Sequence, residues 1–378
     1  MLENFLQWDS LSIFWLALFT TAWLIQMFYW LYFLLRVSRH RDRKISTSHE
    51  PPVSVVISAK NEERSLMEHL PHIMNQDYKN FEVVVVNDSS WDDTQTVLKA
   101  LSLKYSNLHV VNLDEEKQSM GGKKFALTLG IKAAKHDLIL LTDADCIPAS
   151  NQWLRKMTGA LGEKKQIVLG FSPYAKHKGL LNQLIRFDAW MIGMQYFGFA
   201  KAGIPYMGVG RNLAYNKELF FRMGGFRAHY HLASGDDDLF VNHAANDRNT
   251  VVQLSPLSHT ISEPKKTWGS WFTQKRRHFT TAPRYRPLHK KLLALWPLSF
   301  VMMLAGFAGS MAMQRMMLVL AAMLFIRYAT QIAILHRASK RMNQQDLLWY
   351  APLLELQLIF IQVWLYASNL VLKPQKWN

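Results

Sequence analysis

Four long apolar stretches, one ahead of a polar middle and three behind it, constrain this chain more than any other feature. Residues 11–35 carry no charge and are rich in Leu, Phe and Trp. A helix of that length crosses the roughly 30 Å of bilayer hydrocarbon. The run is too long for the apolar part of a cleavable signal, no small-residue cleavage site follows, and the residues ahead of it are acidic rather than basic. It reads as a retained anchor, 11–36, after a short N-terminal segment, 1–10. Three further spans are expected at 292–313, 316–335 and 347–371, the first two joined only by Gln314-Arg315. The polar stretch 45–290 is long enough for one α/β domain with its own core.

The net charge of +16 is not spread evenly. Cations gather at Arg36–Lys44, Lys275–Arg286 and Arg337–Arg341, each beside an apolar span. That is the pattern of positive-inside topology and attraction to anionic headgroups, not of a nucleic-acid surface. The basic flank after the anchor (Arg36, Arg39, Arg41, Arg43, Lys44) puts the domain in the cytoplasm, and a basic linker at His336–Arg341 agrees. Only Lys373 and Lys376 lean the other way. The expected location is the bacterial inner (plasma) membrane. Cys146 is the only cysteine, which excludes a disulfide framework and a cysteine-based zinc site. Arg327 and Glu355 fall inside expected spans, where ionisable groups need a partner or a cavity.

Within the polar middle, short β-branched runs alternate with stretches of helical period. Strands are expected at Val53–Ser58, Phe81–Val86, Leu108–Leu113 and Asp137–Leu141, with helices near 62–74, 91–104 and 122–135. Continuous apolar strands between helices describe βαβ units and a mostly parallel sheet buried on both faces. In such sheets ligands bind beyond the carboxyl ends of the strands. The polar clusters sit at those ends.

Asn61-Glu62 and Asp88 follow the first two strands. A carboxylate there can take hydrogen bonds from a base or a ribose; helix N-capping is the alternative for Asp88. Gly121-Gly122-Lys123-Lys124 opens a helix, where backbone amides and a lysine suit a diphosphate, although no Walker pattern is present. Asp143 and Asp145 alternate along extended chain, so both can approach one site. A hard divalent cation shared with phosphate wants such ligands, a turn cap before Pro148 being the alternative. Asp236-Asp237-Asp238 crowds three like charges, which is costly without a cation or a task, and one can act as a general base. Gln274 and Arg277, three apart, share a helical face, and a guanidinium can bind a departing diphosphate. Lys275 and Arg276 are expected to touch lipid phosphate. Long apolar side chains over 177–206 suggest either an amphipathic element against the bilayer or ordinary core.

With these residues in place, the chain resembles a membrane-bound family 2 inverting glycosyltransferase of the GT-A fold. The resemblance covers roughly 51–290 and rests on Asn61-Glu62, Asn87-Asp88, the Gly122–Gly130 run, Asp143-Ala-Asp145, Gly224-Gly225-Phe226, Gly235-Asp236-Asp237 and Gln274-x-x-Arg277, in that order. It implies that Glu62 and Asp88 hold uridine, Lys123 the diphosphate, and Asp145 with Asp143 a Mg²⁺ or Mn²⁺ ion. The general base would come from the acidic run. The Gly-Asp-Asp form of the motif favours Asp237; counting back from Leu239 favours Asp236. The box that usually ends in Trp ends here in His278. The partners expected are a UDP-sugar, a lipid or glycan acceptor and the membrane. The expected activity is single addition to a lipid-linked hydroxyl. The alternatives are a processive β-linked polysaccharide synthase and an inactive nucleotide-binding scaffold.

Overall fold

The computed structural model describes residues 9–41, 50–113, 122–161, 165–232, 234–314 and 316–371, with side chains through 368. Residues 1–8, Arg43, Lys44, residues 45–49, Gly121, Arg315, Lys373 and Lys376 lie outside the described residues. Ser10–Ser38 forms one long apolar helix, α1, with a π-helical stretch at Tyr29–Leu34.

Four strands follow the Val and Leu runs: Val53–Ala59 (β1), Phe81–Asn87 (β2), Leu108–Asn112 (β3) and Leu138–Leu141 (β4). They lie parallel, in the order β3-β2-β1-β4, with Val53 opposite both Phe81 and Leu138. This register brings the chain off β1, β2 and β4 at one edge, so Asn61, Asp88 and Asp143 leave the sheet on the same side. After β4, Cys146–Pro148 (β5) pairs antiparallel with Thr260–Ser262 (β9). Ile167–Leu169 (β6), Leu213–Asn216 (β7) and Thr250–Val252 (β8) complete a seven-stranded sheet in the order β3-β2-β1-β4-β7-β6-β8. Among its strands only β7 runs antiparallel. The mostly parallel sheet flanked by helices is as expected.

Alternation along the strands sends side chains to two cores. Val55, Ile57, Val83 and Val85 pack with Leu66 and Leu70 of Glu63–Met74 (α2) and Leu98 of Thr94–Lys104 (α3). Val56 and Val84 pack on the other face with Leu127 and Ile131 of Lys123–Ala133 (α4). There Gly130 lets the α4 backbone come in close, since a Cβ at that position would stand 2.6 Å from Val56 Cγ1.

Leu180–Lys201 (α5) answers the question left by the apolar 177–206 stretch. Its long side chains, Leu184, Ile185, Trp190, Met194 and Phe197, are all buried in the second core. Here the same cluster reaches Trp30 and Phe33 of α1, so domain and anchor share one core. Gly198 makes the contact possible, since a Cβ would lie 2.9 Å from the Phe33 carbonyl oxygen, and Phe33 and Phe199 stack at 4.3 Å.

Asp238–Ala244 (α6) and Trp268–Phe279 (α7) close the domain ahead of three apolar helices, Pro287–Ala312 (α8), Met317–Met342 (α9) and Ala351–Val371 (α10). With α1 these make, among the described residues, four helices long and apolar enough to cross a membrane. The helices overlap the spans expected at 292–313, 316–335 and 347–371 and differ from them at their ends. His336–Arg341 is no linker, for it forms the end of α9, which stops at Asn343 in the left-handed region (φ 53). Lys340 and Arg341 suit that end because cations offset the partial negative charge of the last carbonyls. Gln345–Leu347 is a 3₁₀ turn ahead of α10.

Arg327 and Glu355 meet as a two-pronged ion pair, with Nη2–Oε1 at 2.6 Å and Nη1–Oε2 at 2.7 Å. Gln331 Nε2 donates to Glu355 Oε2, and Arg327 Nη2 donates to Gln26 Oε1 on α1. Gln26 Nε2 in turn reaches the Trp296 carbonyl and Ser299 Oγ on α8. One buried polar network therefore ties all four apolar helices, and the Arg327–Glu355 pair has a structural role.

Candidate functional site

The carboxylates converge where β1, β2 and β4 end. Asn61 takes the left-handed conformation (φ 57), which turns the chain sharply after β1. Its Oδ1 accepts from Trp91 N at 3.0 Å and its own N–H donates to Ser90 Oγ at 2.9 Å, so it braces the β1 and β2 loops together. Glu62 N donates to Thr94 Oγ1 at 2.9 Å. Burial, then the charges of Asp145 and Asp143, push the Glu62 carboxyl above its usual range, which puts all three acids in one neighbourhood. Asp88 is buried at the end of β2, and its N–H donates to the Ala59 carbonyl at 2.8 Å. It caps no helix, because α3 begins only at Thr94 with Asp93 at the cap position. Desolvation raises its pKa.

Lys123, the first residue of α4, is the hub of the cleft. Its Nζ lies 2.8 Å from Asp143 Oδ1 and 3.3 Å from Asp236 Oδ2. Burial alone would strip its proton, but Asp143 and Asp236 hold it firmly protonated. One ammonium thus joins the end of β4 to the acidic run. Lys124, next along, points elsewhere and donates to the carbonyls of His229, Leu232 and Ser234 at 2.6, 3.0 and 2.7 Å.

Each acid of the run has a different environment. Burial would raise Asp236, but the Lys123 charge overrides it and keeps the carboxyl below its usual range. Asp238 turns inward and accepts from Thr281 Oγ1 at 2.5 Å and Tyr285 OH at 2.6 Å, so it anchors the segment ahead of α8. Asp237 accepts from Gly210 N and Asp238 N, both at 2.7 Å. Burial and the charges of Asp236 and Asp238 push it up to about 7.

Asp143 and Asp145 stand two apart between β4 and β5, both partly open to solvent. Asp145 Oδ2 accepts from Ser262 Oγ at 3.2 Å. Neither caps a helix. Among the described residues no group of three or more metal-ligating side chains gathers. Two carboxylates with open oxygen positions nevertheless fit a hard cation whose other ligands come from phosphate and water.

On α7, Gln274 Nε2 donates to Tyr174 OH at 3.4 Å, and Arg277 follows one turn on. His278 is exposed and lies within electrostatic reach of Arg211 and Asp236. Lys275 corrects an expectation. It is buried and pairs with Asp188 of α5 at 2.7 Å instead of facing lipid phosphate. Arg211 was missed from sequence. It sits in the 3₁₀ turn Gly210–Asn212 ahead of β7, with its guanidinium 4.3 Å over the Tyr174 ring and the charges of Asp145 and Asp143 bearing on it. The only sequence signal was a lone cation inside the glycine-rich run Gly208-Val-Gly210-Arg211.

The cleft therefore brings together Glu62, Lys123, Asp143, Asp145, Asp236 and Asp237, with Gln274 on its border through Tyr174. Asp88 joins it along the β1–β2 edge.

The sequence pattern of glycosyl transferase family 21 matches residues 18–372. Among curated proteins, the probable glycosyltransferase YdaM of Bacillus subtilis is 26% identical over 285 residues, 72% of this chain and 65% of that protein. The beta-monoglucosyldiacylglycerol synthase of Nostoc is 33% identical over 138 residues, 34% of this chain and 29% of that protein. The matched part thus spans less than two thirds of those relatives' own lengths. Among solved structures, the mannosyltransferase PcManGT of Pyrobaculum calidifontis, in complex with GDP-Man and Mn²⁺, superposes with a TM-score of 0.59 at 21% identity. That match covers 91% of this chain and 98% of that one, and the shared architecture is of the GT-A type. The family 21 match and these relatives agree with the expected family 2-type glycosyltransferase of GT-A fold.

Proposed function

The chain belongs to glycosyl transferase family 21, and from that premise we propose that it moves a sugar from a UDP-sugar to a hydroxyl of a membrane lipid, with inversion. The observation that carries this reading is Lys123 lying against both Asp143 and Asp236, which joins the diphosphate end of the cleft to the acidic run. The apolar helices on either side of the domain favour an acceptor held in the bilayer. A relative whose name is that of a glucolipid synthase favours it too.

Glu62 and Asp88, at the ends of β1 and β2, would hold the nucleoside, with Asn61 bracing the β1 and β2 loops. Asp143 and Asp145 would hold Mg²⁺ or Mn²⁺, which when bound supplies positive charge for the diphosphate oxygens. Lys123 contributes a fixed charge beside them, and Gln274 and Arg277 of α7 would add donors to the departing diphosphate. Preorganised charge of this kind does most of the work in transfer reactions of activated phosphates.

Asp237 is the base in this reading. Asp236 is neutralised by Lys123 and Asp238 is tied to Thr281 and Tyr285. Asp237 has a carboxyl pushed up to about 7, close to where a general base works best. It takes the proton of the acceptor hydroxyl as that oxygen bonds to the anomeric carbon. On the opposite side the bond to UDP breaks and its electron pair leaves with UDP. A single displacement converts an α-linked donor to a β-linked product.

The test is a panel of UDP-sugars offered to the purified full chain with membrane lipid extract and Mn²⁺, read by mass spectrometry. One glycolipid carrying a single added sugar is the expected result. A ladder of high-mass product would replace this reading with a processive synthase, and no product with any donor would leave only the scaffold.

A further inference from the structure

Arg211 takes no part in the scheme above, yet the fold fixes it at the heart of the cleft. The N–H of its neighbour Gly210 donates to Asp237 Oδ2, and its own carbonyl accepts from Thr260 Oγ1 at 2.8 Å. Its guanidinium stacks at 4.3 Å on Tyr174, the ring whose hydroxyl accepts from Gln274. Nη2 donates to the Ser172 carbonyl at 3.2 Å. Nη1 is shut off from solvent and meets no acceptor among the described residues.

A buried donor left without an acceptor costs on the order of 1–3 kcal/mol, more when it is charged. The two lysines that open α4 are satisfied, Lys123 by two carboxylates and Lys124 by three carbonyls. Arg211 is held in place on one prong of its fork while the other has nothing to bind. A missing acceptor next to Asp143 and Asp145 implies an anion that arrives with the ligand.

We propose that Arg211 binds the β-phosphate of the nucleotide-sugar donor and meets the charge left on the departing nucleoside diphosphate. This rests on the donor reading above. Nη2 keeps the Ser172 carbonyl, which leaves Nη1 as the prong for a phosphate oxygen. A guanidinium can hold a backbone carbonyl with one prong and a phosphate oxygen with the other, which a lysine ammonium cannot do from the same stacked position. When the bond between the anomeric carbon and the β-phosphate oxygen breaks, the electron pair stays on that oxygen. Arg211 would then add a second positive charge to that of Lys123 at the leaving group.

The test is calorimetric titration of the full chain in detergent with Mn²⁺, using UDP, UMP, GDP and GMP against wild type, Arg211→Gln and Arg211→Lys. Wild type is expected to bind one nucleoside diphosphate well above its monophosphate. In Arg211→Gln the diphosphate weakens about 10- to 100-fold, the range for a charge-assisted hydrogen bond, while the monophosphate stays within about 2-fold. Arg211→Lys recovers little of this loss, and unchanged monophosphate binding reports an intact nucleoside pocket. Equal weakening of both nucleotides, or unchanged diphosphate binding with a raised KM for acceptor, would overturn the assignment, the second in favour of an anionic acceptor. A wild-type protein that binds none of the four would sink the donor reading, and this inference with it.

Discussion

Replacing Asp237 by Asn separates its catalytic part from its cost to the fold. The folded carboxyl sits at about 7 against an ordinary value of 3.8, because burial and the Asp236 and Asp238 charges oppose its ionisation. A raised carboxyl pKa means the folded state binds the proton more tightly than the unfolded chain. That stabilisation is fully present below about pH 4 and is lost as pH rises towards 7. At about 1.4 kcal/mol per pH unit the gap is worth at most roughly 4 kcal/mol, less any relief from solvent in the cleft. Asn carries no charge, so it escapes this penalty. It also forfeits one of the two accepted hydrogen bonds, from Gly210 or Asp238, at a pH-independent cost of about 1 kcal/mol. Thermal melts of both proteins in detergent at pH 4, 5, 6, 7 and 8 read the difference. Asp237→Asn is expected to be the less stable at pH 4, to gain on wild type steadily up to pH 7, and to level off above. Transfer by wild type is expected to fall as pH drops below 7, as the base takes up its proton. A melting difference that stays flat across the series would refute the environment assigned to Asp237.

Lys123→Met leaves Asp143 and Asp236 facing each other without their cation. Transfer is expected to fall by about 10²–10³ in steady-state assays, the usual scale for losing one preorganised charge. Glu355→Gln leaves Arg327 buried without its partner among the apolar helices, which is expected to cost about 3–5 kcal/mol in chemical denaturation. The double change Arg327→Met with Glu355→Met removes both charges and is expected to recover most of that loss.

Much of the frame could be read from the residues, because β1, β2 and β4 are uninterrupted Val and Leu runs and their carboxyl ends carry the acids. The parallel register then places Asn61, Asp88 and Asp143 on one edge without further information. Strands β6, β7 and β8 escaped notice because each has only three or four residues, too few to show a period. Lys275 looked like part of a lipid-facing basic box, since its partner Asp188 is 87 residues away on a buried helix. Arg211 was silent for the same reason: its setting is assembled from Tyr174, Ser172 and Thr260, none adjacent in sequence. The ends of the apolar helices shifted because Lys340 and Arg341, which resemble a linker by composition, are good final-turn residues. The acidic run could be found by its crowding, but what distinguishes Asp236, Asp237 and Asp238 is Lys123, Gly210 and the pair Thr281 and Tyr285.

The most direct test is quantitative transfer of labelled sugar from the active UDP-sugar to lipid, by purified wild type, Asp145→Asn and Asp237→Asn side by side. Wild type should turn over, and each variant should lose about 10³-fold or more, in line with removal of a metal ligand or a general base. If either variant transferred sugar at the wild-type rate, the chemistry would not lie in this cleft.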